Sequence, residues 1–98
     1  MQKVIIIKEE SEGIIGVAAS YHDAIDYLME NKWIKSDTYA WERETQKWKT
    51  LKEMGLWNEH IYEMPEQFWE YHLYDYNFSF SWYDFYGTLS KENTNEVW

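Results

Sequence analysis

The sequence predicts one small α+β domain: an antiparallel or mixed sheet of about five strands with two or three helices packed on it. Three observations carry this. Residues 3 to 19 and 39 to 50 each read as a β-hairpin. Between them a serine precedes an apolar stripe of helical spacing. A second helix pattern and an alternating aromatic strand then complete the order β-β-α-β-β-α-β.

The first hairpin pairs two β-branched runs, Lys3 to Lys8 and Gly13 to Ala19, across the acidic turn Glu9-Glu10-Ser11-Glu12-Gly13. Ser20 is an N-cap with Asp23 at the capping-box position, opening a helix over 21 to 32. Tyr21, Ala24, Ile25, Leu28 and Met29 share its inner side, while His22, Asp23, Asp26 and Glu30 face outward. Tyr39 to Thr50 alternates about a polar six-residue loop, which places Trp41 opposite Trp48. Thr50 and Glu53 form a second capping pair, with Leu51 and Met54 as apolar partners and Gly55 as the stop.

Residues 56 to 64 read as a short helical turn. Pro65 suits the first position of a helix over 66 to 74, whose inner stripe is Phe68, Trp69, His72 and Leu73. From Asn77, Phe78, Phe80 and Trp82 alternate with Ser79, Ser81 and Tyr83. Asp84 then falls on the phenylalanine face, so a register shift or bulge is expected near Trp82. The domain is expected to span residues 1 to 86, with 87 to 98 a polar tail in which Val97 and Trp98 make a late contact.

Composition bounds the function. Ninety-eight residues suit one domain, and such a chain buries roughly two-thirds of its unfolded surface. The longest apolar run near the start, four residues, is too short for a signal segment or a membrane span, so a cytoplasmic protein is expected. Without cysteine there are no disulfides, thiolate nucleophiles or thiolate metal sites. The net charge of −9 is uneven: residues 1 to 55 carry −2, whereas 56 to 98 carry −7 and 14 of the 20 aromatics. A field of this sign repels phosphates and favours basic partners.

Two stretches resemble known proteins. Tyr39-Ala40-Trp41-Glu42-Arg43-Glu44-Thr45-Gln46-Lys47-Trp48-Lys49-Thr50 resembles the second hairpin of the immunoglobulin-binding domain of protein G. That likeness concerns local structure and implies no shared function. Val4-Ile5-Ile6-Ile7, Ile14-Ile15-Gly16-Val17, Ser20-Tyr21-His22-Asp23-Ala24 and Asn31-Lys32-Trp33-Ile34 together resemble small accessory proteins of Gram-positive phages and mobile elements. Lys32 stands where that pattern has glycine. The resemblance covers about the first 50 residues and implies an accessory role, in some cases inhibition of host defence, without transferring any site residue.

Candidate chemistry is sparse. His22 and Asp26 have a metal-ligand spacing but no third ligand in the sequence pattern, and His60–Glu63 and His72–Asp75 repeat a His-x-x-acid spacing. His72 lies on an apolar stripe and reads as a core histidine. The pairs Glu59–Glu63 and Glu66–Glu70 lack any sign of the cleft that acid–base work needs. Ser79 and Ser81 have no nucleophile-elbow context, and no glycine loop for phosphate is present. No enzyme, cofactor or metal site is therefore expected.

Residues 68 to 86 hold 11 aromatics in 19 positions. Phe68, Leu73, Phe78, Phe80 and Trp82 are assigned to the core, leaving Tyr71, Tyr74, Tyr76, Tyr83 and Tyr86 for an interface. The expected partner is a protein with a basic surface, not nucleic acid directly and not a membrane. Its contacts are assigned to Glu59, Glu63, Glu66, Glu70, Tyr71, Tyr74, Asp75, Tyr76 and Asp84. The alternative is a neutral module or homodimer that pairs through its aromatic strand.

Overall fold

The computed structural model describes residues 2–85, without the side chain of Tyr71. Strand β1 (Gln2–Glu9) lies at the centre of a three-stranded antiparallel sheet, with β2 (Gly13–Ala18) on one side and β5 (Phe78–Phe85) on the other. The run Val4 to Ile7 does not alternate because a central strand buries both faces: Val4, Ile5 and Ile7 are buried and Ile6 half-buried. The expected hairpin is present. Its register shifts between Ile7 and Lys8, where the pairing passes from Ile7 with Gly16 to Lys8 with Ile14.

Helix α1 (Tyr21–Glu30) starts as the sequence requires, with the Asp23 amide donating to Ser20 Oγ at 3.1 Å. Ala24, Ile25 and Leu28 pack inward against the sheet. The helix stops two residues before the expected position 32. Asn31 is its C-cap, and Lys32 takes a left-handed φ of 63° while the Trp33 amide turns back to Leu28 O at 2.9 Å.

The second hairpin forms a separate two-stranded sheet of β3 (Tyr39–Glu42) and β4 (Lys47–Thr50). Among the described residues five strands are thus present, in two antiparallel sheets and not one. The free side of β3 is taken by residues 72–74: Ala40 bridges Leu73, the Trp41 amide donates to His72 O at 2.8 Å, and the Tyr74 amide to Tyr39 O at 3.0 Å. Trp41 and Trp48 are paired and meet edge-to-face with centroids 5.3 Å apart. The turn is shorter than the six residues expected, because Glu42 and Lys47 close a further pair and Gln46 adopts φ 53°.

The Thr50–Glu53 capping box is complete but opens only a single turn, ended by Gly55 at φ 72°. A short 3-10 helix follows over Glu59–Glu63, in the stretch expected to be a helical turn. Helix α2 (Glu66–Tyr71) is three residues shorter than predicted, since residues 72–74 bond laterally to β3. Pro65 is its extended N-cap residue and not its first helical one.

Two expectations for β5 fail. It pairs with β1 without interruption, from Phe78 opposite Glu9 to Phe85 opposite Gln2, so no bulge lies near Trp82. Trp82 is also not core: it is 46% exposed on this edge strand, although Ile5, opposite it on the central strand, is fully buried. The tail over 87 to 98, the Val97 and Trp98 contact and Tyr86 lie outside the described residues.

Candidate functional site

The nine carboxyl-half residues assigned to binding occupy several distinct places. Glu59 and Glu63 sit on the 3-10 helix, where Glu63 pairs with His60 at 3.0 Å and holds the imidazole's pKa above its ordinary value. Glu66 lies on the first turn of α2. Glu70 is structural in part, since its Oε1 accepts from the Phe80 amide at 3.3 Å and covers the free edge of β5. Tyr71 ends α2. Asp84 is opposite Lys3 near the far end of β5. Nine positions of chain separate it from Asp75, six of them along β5 from Phe78, or about 20 Å.

Tyr74, Asp75 and Tyr76 do come together, beside residues the sequence did not indicate. Tyr74 stacks edge-to-face on Trp48 at 5.1 Å, extending the Trp41–Trp48 pair into a row of three rings. Tyr39 follows from the backbone pairing of Tyr39 with Tyr74. These rings are in solvent: Tyr74 is 64% exposed, Tyr39 46% and Trp48 42%. Beyond them, Trp33 packs its edge against Tyr76 at 5.0 Å and against Phe78 at 6.1 Å. Trp33, Tyr39, Tyr74 and Tyr76 enclose a pocket of about 350 Å³ together with Asp37, Asp75, Lys35 and Thr38. Trp33, Asp37 and Tyr39 lie 35 to 43 positions before Tyr74, Asp75 and Tyr76 in the chain, and no local pattern joins them.

The turn that carries Asp37 is locked at both ends. The Lys35 amide donates to Thr38 Oγ1 at 2.8 Å and the Thr38 amide to Lys35 O at 3.0 Å, with Thr38 buried. The Leu51 amide, donating to Thr38 O at 2.9 Å, ties the same turn to the end of β4.

A larger groove of about 580 Å³ is lined by Trp41, Met54, Met64, Pro65 and Phe68. Glu42, Glu44 and His72 also reach it. Glu42 is held below its ordinary pKa by hydrogen bonds from Thr45 and Lys49. His72 is half-buried and stacks on Phe68 with centroids 5.3 Å apart, and burial and then Arg43 push its pKa down.

The remaining candidates are local. His22 stacks on Tyr62 at 3.8 Å, and Asp26 accepts from the Tyr62 hydroxyl, whose pKa that bond pushes up to about 12. Asp23 supplies the third ligand atom that the His22–Asp26 spacing lacked, all three atoms lying within 4.8 Å of one another on an exposed helix face. Asp26 thus ties the 3-10 helix to α1.

Comparison of the chain with family models, with curated proteins and with solved structures finds no match.

Proposed function

We propose that this protein is a non-catalytic binding module that docks a basic protein partner on the aromatic face built by β3, β4 and residues 72–76. The observation that supports this most directly is the ring row Trp41–Trp48–Tyr74, in which Trp48 and Tyr74 are exposed and Trp41 half-buried, flanked by the exposed Tyr39. Rings of this kind offer large, rigid contact area at low entropic cost and are common in interface hot spots. The net charge of −9 disfavours nucleic acid as a direct ligand and favours a basic partner. In the narrower form of the proposal, resting on the resemblance of the first 50 residues, the protein is a cytoplasmic accessory factor of a phage or mobile element. Its target is then a nucleic-acid-binding or defence protein of the host.

The test is capture of partners from a bacterial lysate by the wild type and by a Trp48→Ser, Tyr74→Ser variant, each at two salt concentrations. A protein retained by the wild type, lost from the variant and weakened by salt supports the reading. Equal retention by both chains refutes it.

A second reading, a homodimer through β5, is favoured by one observation. Trp82 and Tyr83 are 46% and 49% exposed on an edge strand, and Ile14 and Val17 are also exposed on the same sheet at 64% and 45%. Sedimentation that shows a dimer insensitive to salt and abolished by Trp82→Lys would favour it over the first.

A further inference from the structure

The pocket at the end of the aromatic face has a chemistry narrower than protein binding in general. It is lined by four aromatic side chains and two carboxylates, Asp37 and Asp75, against one ammonium, Lys35, with Thr38 between. An apolar side chain would satisfy the rings and desolvate the carboxylates without return. An anion would meet negative charge. A cation satisfies both, through ring faces and through charge-assisted hydrogen bonds. Of the two cationic side chains, arginine fits better: its guanidinium is flat, weakly hydrated, stacks on rings and can bond a carboxylate with two N–H groups, whereas the lysine ammonium is compact and strongly hydrated.

We infer that the pocket bounded by Trp33, Tyr39, Tyr74 and Tyr76 takes an arginine side chain of the partner, held by Asp37 and Asp75. The inference rests on reading this face as a docking surface and names what its deepest part recognises. Among the described residues neither aspartate is engaged in an ion pair, and Lys35, which also lines the pocket, pairs with neither. Its walls are preorganised. The Trp33 amide is bonded to Leu28 O, Tyr76 leans on Trp33 and on Phe78 at 5.9 Å, and the Tyr74 amide is bonded to Tyr39 O. Little ordering is left for binding to impose.

The experiment is a nuclear magnetic resonance titration of the full chain with N-acetyl-arginine methylamide, its lysine and citrulline counterparts, and a short arginine-containing peptide. The arginine compounds should shift the Trp33 indole and the amides of residues 37 and 74 to 76. The lysine compound should bind about threefold more weakly and citrulline at least tenfold more weakly. The isosteric double variant Asp37→Asn, Asp75→Asn should weaken arginine binding roughly tenfold while the spectrum stays dispersed. Shifts spread over every acidic surface, equal binding of lysine, or an unaffected double variant would overturn the assignment.

Partner capture separates this failure from that of the docking face. Loss of the partner by Trp48→Ser but not by the double aspartate variant leaves the face standing and removes the arginine pocket. Arginine binding that persists while Trp48→Ser still captures the partner removes the face and keeps the pocket.

Discussion

Replacing Glu9 with glutamine changes one charge with almost no change in shape, at a point where two turns of the main sheet meet. The Glu9 carboxylate accepts from the amides of Ser11 at 2.8 Å, Glu12 at 3.2 Å and Asn77 at 3.3 Å, and Glu9 itself is 3% exposed. Burial alone would raise its pKa, but the bonds from Ser11, Asn77 and Glu12 outweigh that and hold it below the ordinary value of 4.5. A hydrogen bond to a charged group contributes about 1.5–3 kcal/mol and a neutral one about 0.5–1.5. The single glutamine oxygen can keep the Ser11 and Glu12 bonds in neutral form, at a loss of roughly 1 kcal/mol each, while its NH2 group meets the Asn77 amide donor to donor and that bond is lost. Ser11 and Glu12 are exposed, and water restores part of theirs. The expected net loss at pH 7 is about 3 kcal/mol, or a melting temperature lower by about 12–24 °C.

The sign with pH follows from the depressed pKa. The carboxylate's contribution is fully present above the unfolded-state pKa and disappears as pH falls through the folded-state value. Urea unfolding of both chains at pH 7 and at steps into the acid range measures it. The gap between wild type and Glu9→Gln should narrow as the pH drops below about 4. Equal stability at pH 7, or a gap of constant size down to the lowest pH, would refute the reasoning.

Lys32→Gly should stabilise the protein by about 1 kcal/mol, because φ 63° strains a residue with a Cβ and suits glycine; thermal unfolding reads the gain, and a lower midpoint contradicts it. Gly16→Ala should destabilise by roughly 1–3 kcal/mol, since the added Cβ would lie 2.6 Å from the ring of Tyr27, which is tethered by its hydroxyl to Ile15 O. In a proton-resonance titration His60 should lose its proton above the ordinary histidine pH and His72 below it, and the reverse order would show that the contacts with Glu63 and Arg43 are wrongly placed. Charge reversal of Glu66, Glu70 and Asp75 together should lower stability as well as partner affinity, because Glu70 covers the Phe80 amide; far-ultraviolet dichroism during urea unfolding separates the two effects.

The sequence by itself determined what depends on neighbours along the chain. The Ser20 cap, the Thr50–Glu53 box, the Gly55 stop and the Trp41–Trp48 pair are all set within a few residues, and each is found where it was read. The left-handed φ of 63° at Lys32 had no local signal in the sequence. Tertiary structure decided everything that depends on which edges meet. Alternation put Trp82 in the core and a bulge beside it, but β5 pairs with β1 without interruption as an edge strand and leaves Trp82 exposed. Helical periodicity ran through residue 74, yet the free edge of β3 offered residues 72–74 better lateral partners. The candidate site divides in the same way. Tyr74, Asp75 and Tyr76 were visible as polar and aromatic density, whereas Trp33, Asp37 and Tyr39 joined them only when the strand bridge between Ala40 and Leu73 brought the two segments side by side. Caps and turns are satisfied by bonds of short reach, while a pocket wall is chosen by whichever backbone edge is left unpaired after the sheets have formed.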